Sequence, residues 1–209
     1  MYSNITGFIL AGGKSTRMGK NKSLLKIGEH TIIERVVNLM KGLFKEVIII
    51  TNQEDEYEFL GLPMFEDIYN DIGPLAGIHS ALLNTATERN FIISCDIPLM
   101  TADVIKYLIK YPTKKPITIA RADNFIQQLI GVYAKNLVPT IENIIERSSA
   151  LKDERNPEQN KRGCSVLELV KSVDSEIIDI EKEYPLYVPG TFYNMNRPEE
   201  YNFIKDIMS

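Results

Sequence analysis

Hydrophobic positions along the chain follow two alternating rhythms. Short apolar runs of strand length occur at Gly7-Phe8-Ile9-Leu10-Ala11, Val47 to Ile50, Met64-Phe65 and Phe91-Ile92-Ile93. Between them, apolar residues recur with helical period. Thr31-Ile32-Ile33-Glu34 reads as a capping box opening a helix over about 31–42, and Ile33, Val36, Val37 and Met40 then share one face. Leu75, Ile78, Leu82 and Leu83 form a second such face. Val104, Ile105 and Leu108 form a third, with Thr101 placed as its N-cap. This alternation predicts helices crossing over between parallel strands. After about residue 115 the rhythm changes: Pro116 to Ala122 and Gln128 to Tyr133 read as two strands around a polar turn at Asp123-Asn124, a small antiparallel element. Leu137, Ile141, Ile144 and Ile145 predict a further helix, and Pro198 suits the first position of a final one carrying Tyr201, Ile204 and Met208. Lys152 to Arg162 is almost wholly charged or amide-bearing and predicts a mobile loop. Together these elements predict a single domain over residues 1–209, α/β in class, a three-layer sandwich around a mostly parallel sheet.

Charge and composition narrow the function classes. Twenty-four Lys and Arg against 28 Asp and Glu leave a formal charge of -4, which argues against a surface that neutralises a nucleic-acid backbone. A small anionic ligand needs only a few local cations. Two distant cysteines, Cys95 and Cys164, and two histidines assemble neither a disulfide framework nor a thiol-imidazole zinc site, which fits a reducing cytoplasm. The polar opening Tyr2-Ser3-Asn4 and the shortness of the apolar runs predict a protein neither exported nor membrane-spanning.

Chemistry concentrates in Leu10-Ala11-Gly12-Gly13-Lys14-Ser15-Thr16-Arg17-Met18-Gly19-Lys20-Asn21-Lys22, which leaves the carboxyl end of the first strand, the edge where open α/β sheets bind ligands. Gly12 and Gly13 let backbone N–H groups approach phosphate oxygens, and Arg17 and Lys22 supply a forked donor and a point charge for a polyphosphate. The spacing matches neither the G-x-x-x-x-G-K-[ST] nor the G-x-G-x-x-G phosphate loop. A glycine turn with solvated cations is the plainer alternative, and the convergence of both glycines, Arg17, Gly19 and Lys22 in one strand-to-helix loop weighs against it. Asp96 follows the strand ending at Cys95 and precedes Pro98, so its carboxylate can face the same edge, where a hard cation such as Mg²⁺ fits on one carboxylate plus phosphate oxygens. Its competing reading is a turn cap. Asp67 closes the strand at Phe65 and precedes Asp71 and Gly73-Pro74-Leu75-Ala76-Gly77; a carboxylate there faces a ligand at that edge or serves the turn. Asn52, past the second strand, is a candidate for base or ribose contact or a turn amide. Asn194 and Asn196 alternate along an extended segment and so point to one side, toward a ligand or into the turn before the last helix. His30 and His79 read as surface or packing residues, Cys95 as a small buried residue and Tyr193 as core.

The glycine loop resembles the L-A-G-G-x-x-x-R-M-G-x-D-K signature of the molybdenum cofactor guanylyltransferases, in the nucleotidyltransferase superfamily. Gly73 to Gly77, Cys95-Asp96-Ile97-Pro98 and Asn194-Met195-Asn196-Arg197-Pro198-Glu199-Glu200 resemble that family's later motifs in the same order, so most of the chain is covered. Two positions depart from the pattern: Asn21 stands where Asp is usual, and Arg197 where Thr commonly caps the last helix. The resemblance implies the Rossmann-like nucleotidyltransferase fold and transfer of GMP from GTP to the phosphate of molybdopterin-bound molybdenum, giving the guanine dinucleotide cofactor and pyrophosphate. It implies catalytic roles for Lys22, Arg17 and Asp96, with Asp96 as the Mg²⁺ ligand. Leu10, Ala11, Gly12, Gly13, Lys22, Asn52, Asp67, Gly77 and Asp96 would bind the nucleotide, and Asn194 and Asn196 the molybdopterin. Expected partners are GTP, the molybdenum cofactor and a molybdenum-insertion or molybdoenzyme protein, with no nucleic acid and no membrane. The rival readings are a cytidylyltransferase for the same cofactor, a sugar-phosphate nucleotidyltransferase, and a non-catalytic GTP-binding module. Relatives with the first two activities more often show A-A-G where this chain has Leu10 to Gly13, and the presence of Lys22 together with Asp96 counts against mere binding.

Overall fold

The computed structural model describes residues 1–12, 21–150, 164–195, 200–201 and 204–205. The chain runs β1 (Ile5–Leu10), β2 (Lys26–Ile27), β3 (His30–Thr31), α1 (Ile32–Leu43), β4 (Val47–Ile50), β5 (Met64–Phe65), α2 (Pro74–Leu83) and β6 (Arg89–Ser94). It continues through α3 (Ala102–Lys110), β7 (Ile117–Ala122), β8 (Phe125–Ala134), α4 (Val138–Ala150), α5 (Val166–Ser172), β9 (Ser175–Asp179) and α6 (Ile180–Glu183). Seven strands form one sheet in the order β5-β4-β1-β6-β8-β7-β9, while β2 and β3 make a separate two-stranded hairpin. In the large sheet β8 runs against both neighbours and every other pairing is parallel. The α/β expectation, with a mostly parallel sheet and a small antiparallel element, is met.

Alternation along the central strands explains the three layers. Ile5 and Ile9 of β1, Val47 and Ile49 of β4, and Phe91 and Ile93 of β6 pack with Ile33, Val36, Val37 and Met40 of α1 and with Val104, Ile105 and Leu108 of α3. Phe8, Leu10, Ile48, Ile50 and Ile92 face the opposite layer, where Leu75, Ile78 and Leu82 of α2 and Ile141, Ile144 and Ile145 of α4 cover them. A strand buried on both faces must be apolar at consecutive positions, which is why these runs lack polar alternation. The start of α1 is the predicted capping box: Thr31 Oγ1 accepts from Glu34 N while the Glu34 carboxylate accepts from Thr31 N. Gly7 is needed for packing, since a Cβ there would lie 2.8 Å from both Met40 Cε and Phe44 Cδ2.

The hairpin between β7 and β8 differs from the sequence expectation. Asp123 and Asn124 both take positive φ, 51° and 63°, so they form a two-residue turn that pairs Ala122 directly with Phe125. The strand therefore begins at Phe125 rather than Gln128, and an irregularity between Ile119 and Arg121 absorbs the offset. Beside that irregularity, a Cβ on Gly131 would press into the Thr118 carbonyl oxygen and come within 2.5 Å of Ile119 Cγ2. Gly131→Ala is expected to cost ~1–3 kcal/mol by overpacking. A urea midpoint equal to wild type would show that the strands part without strain. The strand β9 and the helix α5, for which the sequence pattern carried no expectation, extend the sheet and its cover. The loop expected at Lys152 to Arg162 and the helix start at Pro198 lie outside the described residues.

Candidate active site

From β1 the chain passes through α1 to β4 on one side, and later crosses to β6 on the other side of β1. That reversal opens a crevice at the carboxyl ends of the strands, the usual ligand position of an open α/β sheet. Two adjoining cavities occupy this edge. The first, about 500 Å³, is lined by Leu10, Gly12, Asn52, Asp67, Gly73 and Gly77 among others. The second, about 640 Å³, is lined by Asp96, Asn194, Gln127, Gln128, Cys164 and Ser165 among others. Asp71, Gly73, Pro74 and Leu129 border both, so the two spaces adjoin at the start of α2. Both volumes are in the range of small-molecule sites.

Lys22 and Asp96 meet at this edge. Lys22 opens a short 3₁₀ turn, Lys22–Leu24, and its Nζ lies 2.5 Å from Asp96 Oδ2. The second carboxylate oxygen accepts from Ser94 Oγ at 2.6 Å. The Asp96 side chain is thus held by a cation and a hydroxyl, and Thr101 caps α3, accepting from Val104 N. The Asp96 carbonyl accepts from Met195 N at 3.1 Å, which draws the Asn194 segment to the same edge, with Met195 buried and Asn194 exposed beside the second cavity. Among the described residues no group of three or more His, Cys, Asp or Glu side chains forms a metal cluster.

Asp67 and Asn52 form a reciprocal pair: Asp67 N donates to Asn52 Oδ1 at 2.8 Å, and Asn52 Nδ2 donates to Asp67 Oδ2 at 3.2 Å. Both ends of the Asn52 amide are thereby used to orient Asp67. Asp67 Oδ1 is buried with no hydrogen-bond partner among the described residues, and a Cβ on Gly77 would lie 3.5 Å from it. Burial raises the Asp67 carboxyl above its ordinary pKa, against a smaller lowering by the Asn52 bond. Leu10 and Gly12 line the first cavity, and among the described residues nothing lies within 4 Å of a Cβ built on Gly12. Ala11 instead turns its methyl into the layer under α1, and its N–H continues the ladder to the Ile50 carbonyl. Gly13, Arg17 and Asn196 lie outside the described residues.

His79 and Cys95 are buried, as their packing reading expects. His79 is buried on α2 against Tyr69, with Nε2 3.2 Å from Glu142, and burial pushes the Cys95 thiol up to about 12. Ser94 was missed by sequence reasoning, although its i, i+2 spacing from Asp96 on extended chain is a readable signal. Gln127, Gln128 and Leu129 reach the cavities from the antiparallel strand, for which no local signal exists.

A doubly wound sheet with a lysine-aspartate pair at its switch-point edge and two adjoining cavities is suited to holding a small anionic ligand, and comparison with known proteins shows the chain to be a nucleotidyltransferase. Residues 7–157 match the MobA-like NTP transferase domain. The chain is 39% identical over 207 residues to the probable molybdenum cofactor guanylyltransferase of Carboxydothermus hydrogenoformans, covering 99% of this chain and 98% of that protein. It is 35% identical to the protein of that name from Clostridium perfringens, covering 92% of each. The crystal structure of an Aquifex aeolicus protein superposes with a TM-score of 0.73 at 30% identity, covering 92% of this chain and 93% of that one. The molybdopterin-guanine dinucleotide biosynthesis protein A of Archaeoglobus fulgidus shares the fold, with a TM-score of 0.74 at 19% identity over 97% and 98% of the two chains. The chain belongs to the molybdenum cofactor guanylyltransferase family. Among the described residues, no helix is long and apolar enough to cross a membrane.

Proposed function

We propose that this enzyme transfers GMP from GTP to the terminal phosphate of the molybdenum cofactor, releasing pyrophosphate. The observation that carries the reading is the Lys22–Asp96 pair standing beside two adjoining cavities, one for each reactant. A phosphate oxygen of the acceptor attacks the α-phosphorus in line, and an anionic nucleophile needs no general base. The work left to the protein is positioning and charge neutralisation. Lys22 Nζ moves from Asp96 onto the phosphates, meeting the charge that builds there, and the backbone at Gly12 offers an N–H to a phosphate oxygen. Asp96 fits a magnesium ion, because its hard carboxylate borders the second cavity and one such ligand suffices when phosphates and water complete the shell. Bound there, the ion would neutralise the triphosphate. Asn194, Gln127 and Gln128 give the second cavity amide donors and acceptors suited to a pterin.

Base choice falls to Asp67, whose buried Oδ1 has no donor among the described residues and is met by the adjacent N1 and N2 donors of guanine. Incubating the enzyme with magnesium, the molybdenum cofactor and each NTP in turn is expected to give a dinucleotide and pyrophosphate from GTP. Comparable kcat/KM for CTP sinks the guanylyl reading. Asp67→Asn is expected to erase the preference for GTP over the other nucleotides while raising the apo melting temperature. The sign follows from a carboxyl whose pKa is higher folded than unfolded: its charged form is less favourable in the fold, so its drag on stability grows as pH rises from the unfolded to the folded pKa. A lower apo melting temperature in Asp67→Asn at pH 7 would place the carboxylate among stabilising groups instead.

A further inference from the structure

The side chain of Asn21 sits at the centre of a closed hydrogen-bond network beneath Lys22. Its Oδ1 accepts from Ser23 N at 3.1 Å and Ser23 Oγ at 2.7 Å, capping the turn that carries Lys22. Its Nδ2 donates to the Glu56 carboxylate and to Tyr57 Oη at 2.8 Å, and Ser23 Oγ and Tyr57 Oη close the ring at 2.9 Å. Glu56 and Tyr57 belong to the segment between β4 and β5, remote in sequence from the glycine loop. Tyr57 is 2% exposed and anchored in the layer under α1, so this network fixes the end of the loop to the core.

We propose that Asn21, held by Glu56 and Tyr57, is a positioning residue that sets the reach of Lys22 for phosphoryl charge. The proposal rests on the role given to Lys22 above. The amide is required because position 21 must accept from the capped turn and donate to a carboxylate at once. An aspartate, the usual residue of the resembling signature, does only the first and would put its own charge against Glu56. In this chain the carboxylate of the pair stands at 56 and the donor at 21. Exchanging the two restores a donor-acceptor match: a Gln at 56 donates to an Asp at 21, which still accepts from Ser23.

The test measures guanylyl transfer in Asn21→Asp, Glu56→Gln and the double variant, each also made in the Lys22→Ala background, with apo melting curves as a control on folding. Wild-type transfer and its loss in Lys22→Ala establish the underlying reading separately. Asn21→Asp is expected to lower kcat about 10- to 100-fold with a smaller change in KM for GTP, the size expected for displacement of a catalytic group by about 1 Å. Adding Glu56→Gln should return kcat to within a few-fold of wild type. With Lys22 already replaced by Ala, Asn21→Asp should cost little more, because the group it positions is gone. Full activity in Asn21→Asp, failure of the double variant to recover while it melts like wild type, or an equal kcat loss with and without Lys22 overturns the proposal.

Discussion

Asp96→Asn is expected to abolish magnesium-dependent guanylyl transfer while leaving the fold in place. The substituted amide keeps the size of the side chain and can still accept from Ser94 Oγ, which lies 2.6 Å from Oδ1. It loses the charge that pairs with Lys22 at 2.5 Å, and an amide oxygen is a much poorer ligand for a hard divalent cation than a carboxylate. Charge neutralisation of the triphosphate should fail, and with it product formation and magnesium-dependent GTP binding. The stability cost is small by comparison. The Lys22 side chain keeps 23% of its exposure and so retains contact with water, and a lost ion pair of this partly exposed kind is worth about 1 kcal/mol, or ~2–4 °C in a chain of this size. Guanylyl transfer and the apo melting temperature of this one variant decide the matter. An active Asp96→Asn enzyme would require the metal site to be placed elsewhere.

Lys22→Ala is the second large effect, expected to lower turnover roughly 10²- to 10³-fold, by analogy with the loss of one preorganised donor to a developing oxyanion. In the free protein Lys22 is held against Asp96, so its loss leaves a carboxylate in a site where only 13% of the side chain is exposed. Magnesium binding at Asp96 should tighten slightly while turnover falls, because a competing cation has been removed. Steady-state rates at saturating magnesium, with magnesium titrations of the apo protein, separate these two consequences. Turnover near wild type in Lys22→Ala would assign the phosphate charge to another residue.

These two residues illustrate how far the chain can be read before it folds. The strands at 5–10 and 47–50, the helix over 32–43 and its Thr31–Glu34 capping box were legible because apolar period and capping are short-range signals carried within a dozen residues. Lys22 and Asp96 were legible as separate candidates, one in the glycine loop after the first strand and one just past a later strand, each within a motif resembling one family. Their contact was not legible, since they lie 74 positions apart and meet only because β1 and β6 are neighbours in the sheet. The same holds for the Asn52–Asp67 pair, and above all for Asn21. From the sequence, Asn21 was a departure from a signature; in the fold, Glu56 and Tyr57 supply the reason for an amide. The small hairpin at 123–124 shows the converse limit, because polar residues marked the turn but strand pairing decided that β8 starts at Phe125. By itself the sequence determined which apolar residues share a face and the kinds of side chain available for phosphate chemistry. Only the tertiary structure decided which of those side chains share a hydrogen bond, because strand order brings distant segments together and no local pattern encodes that order.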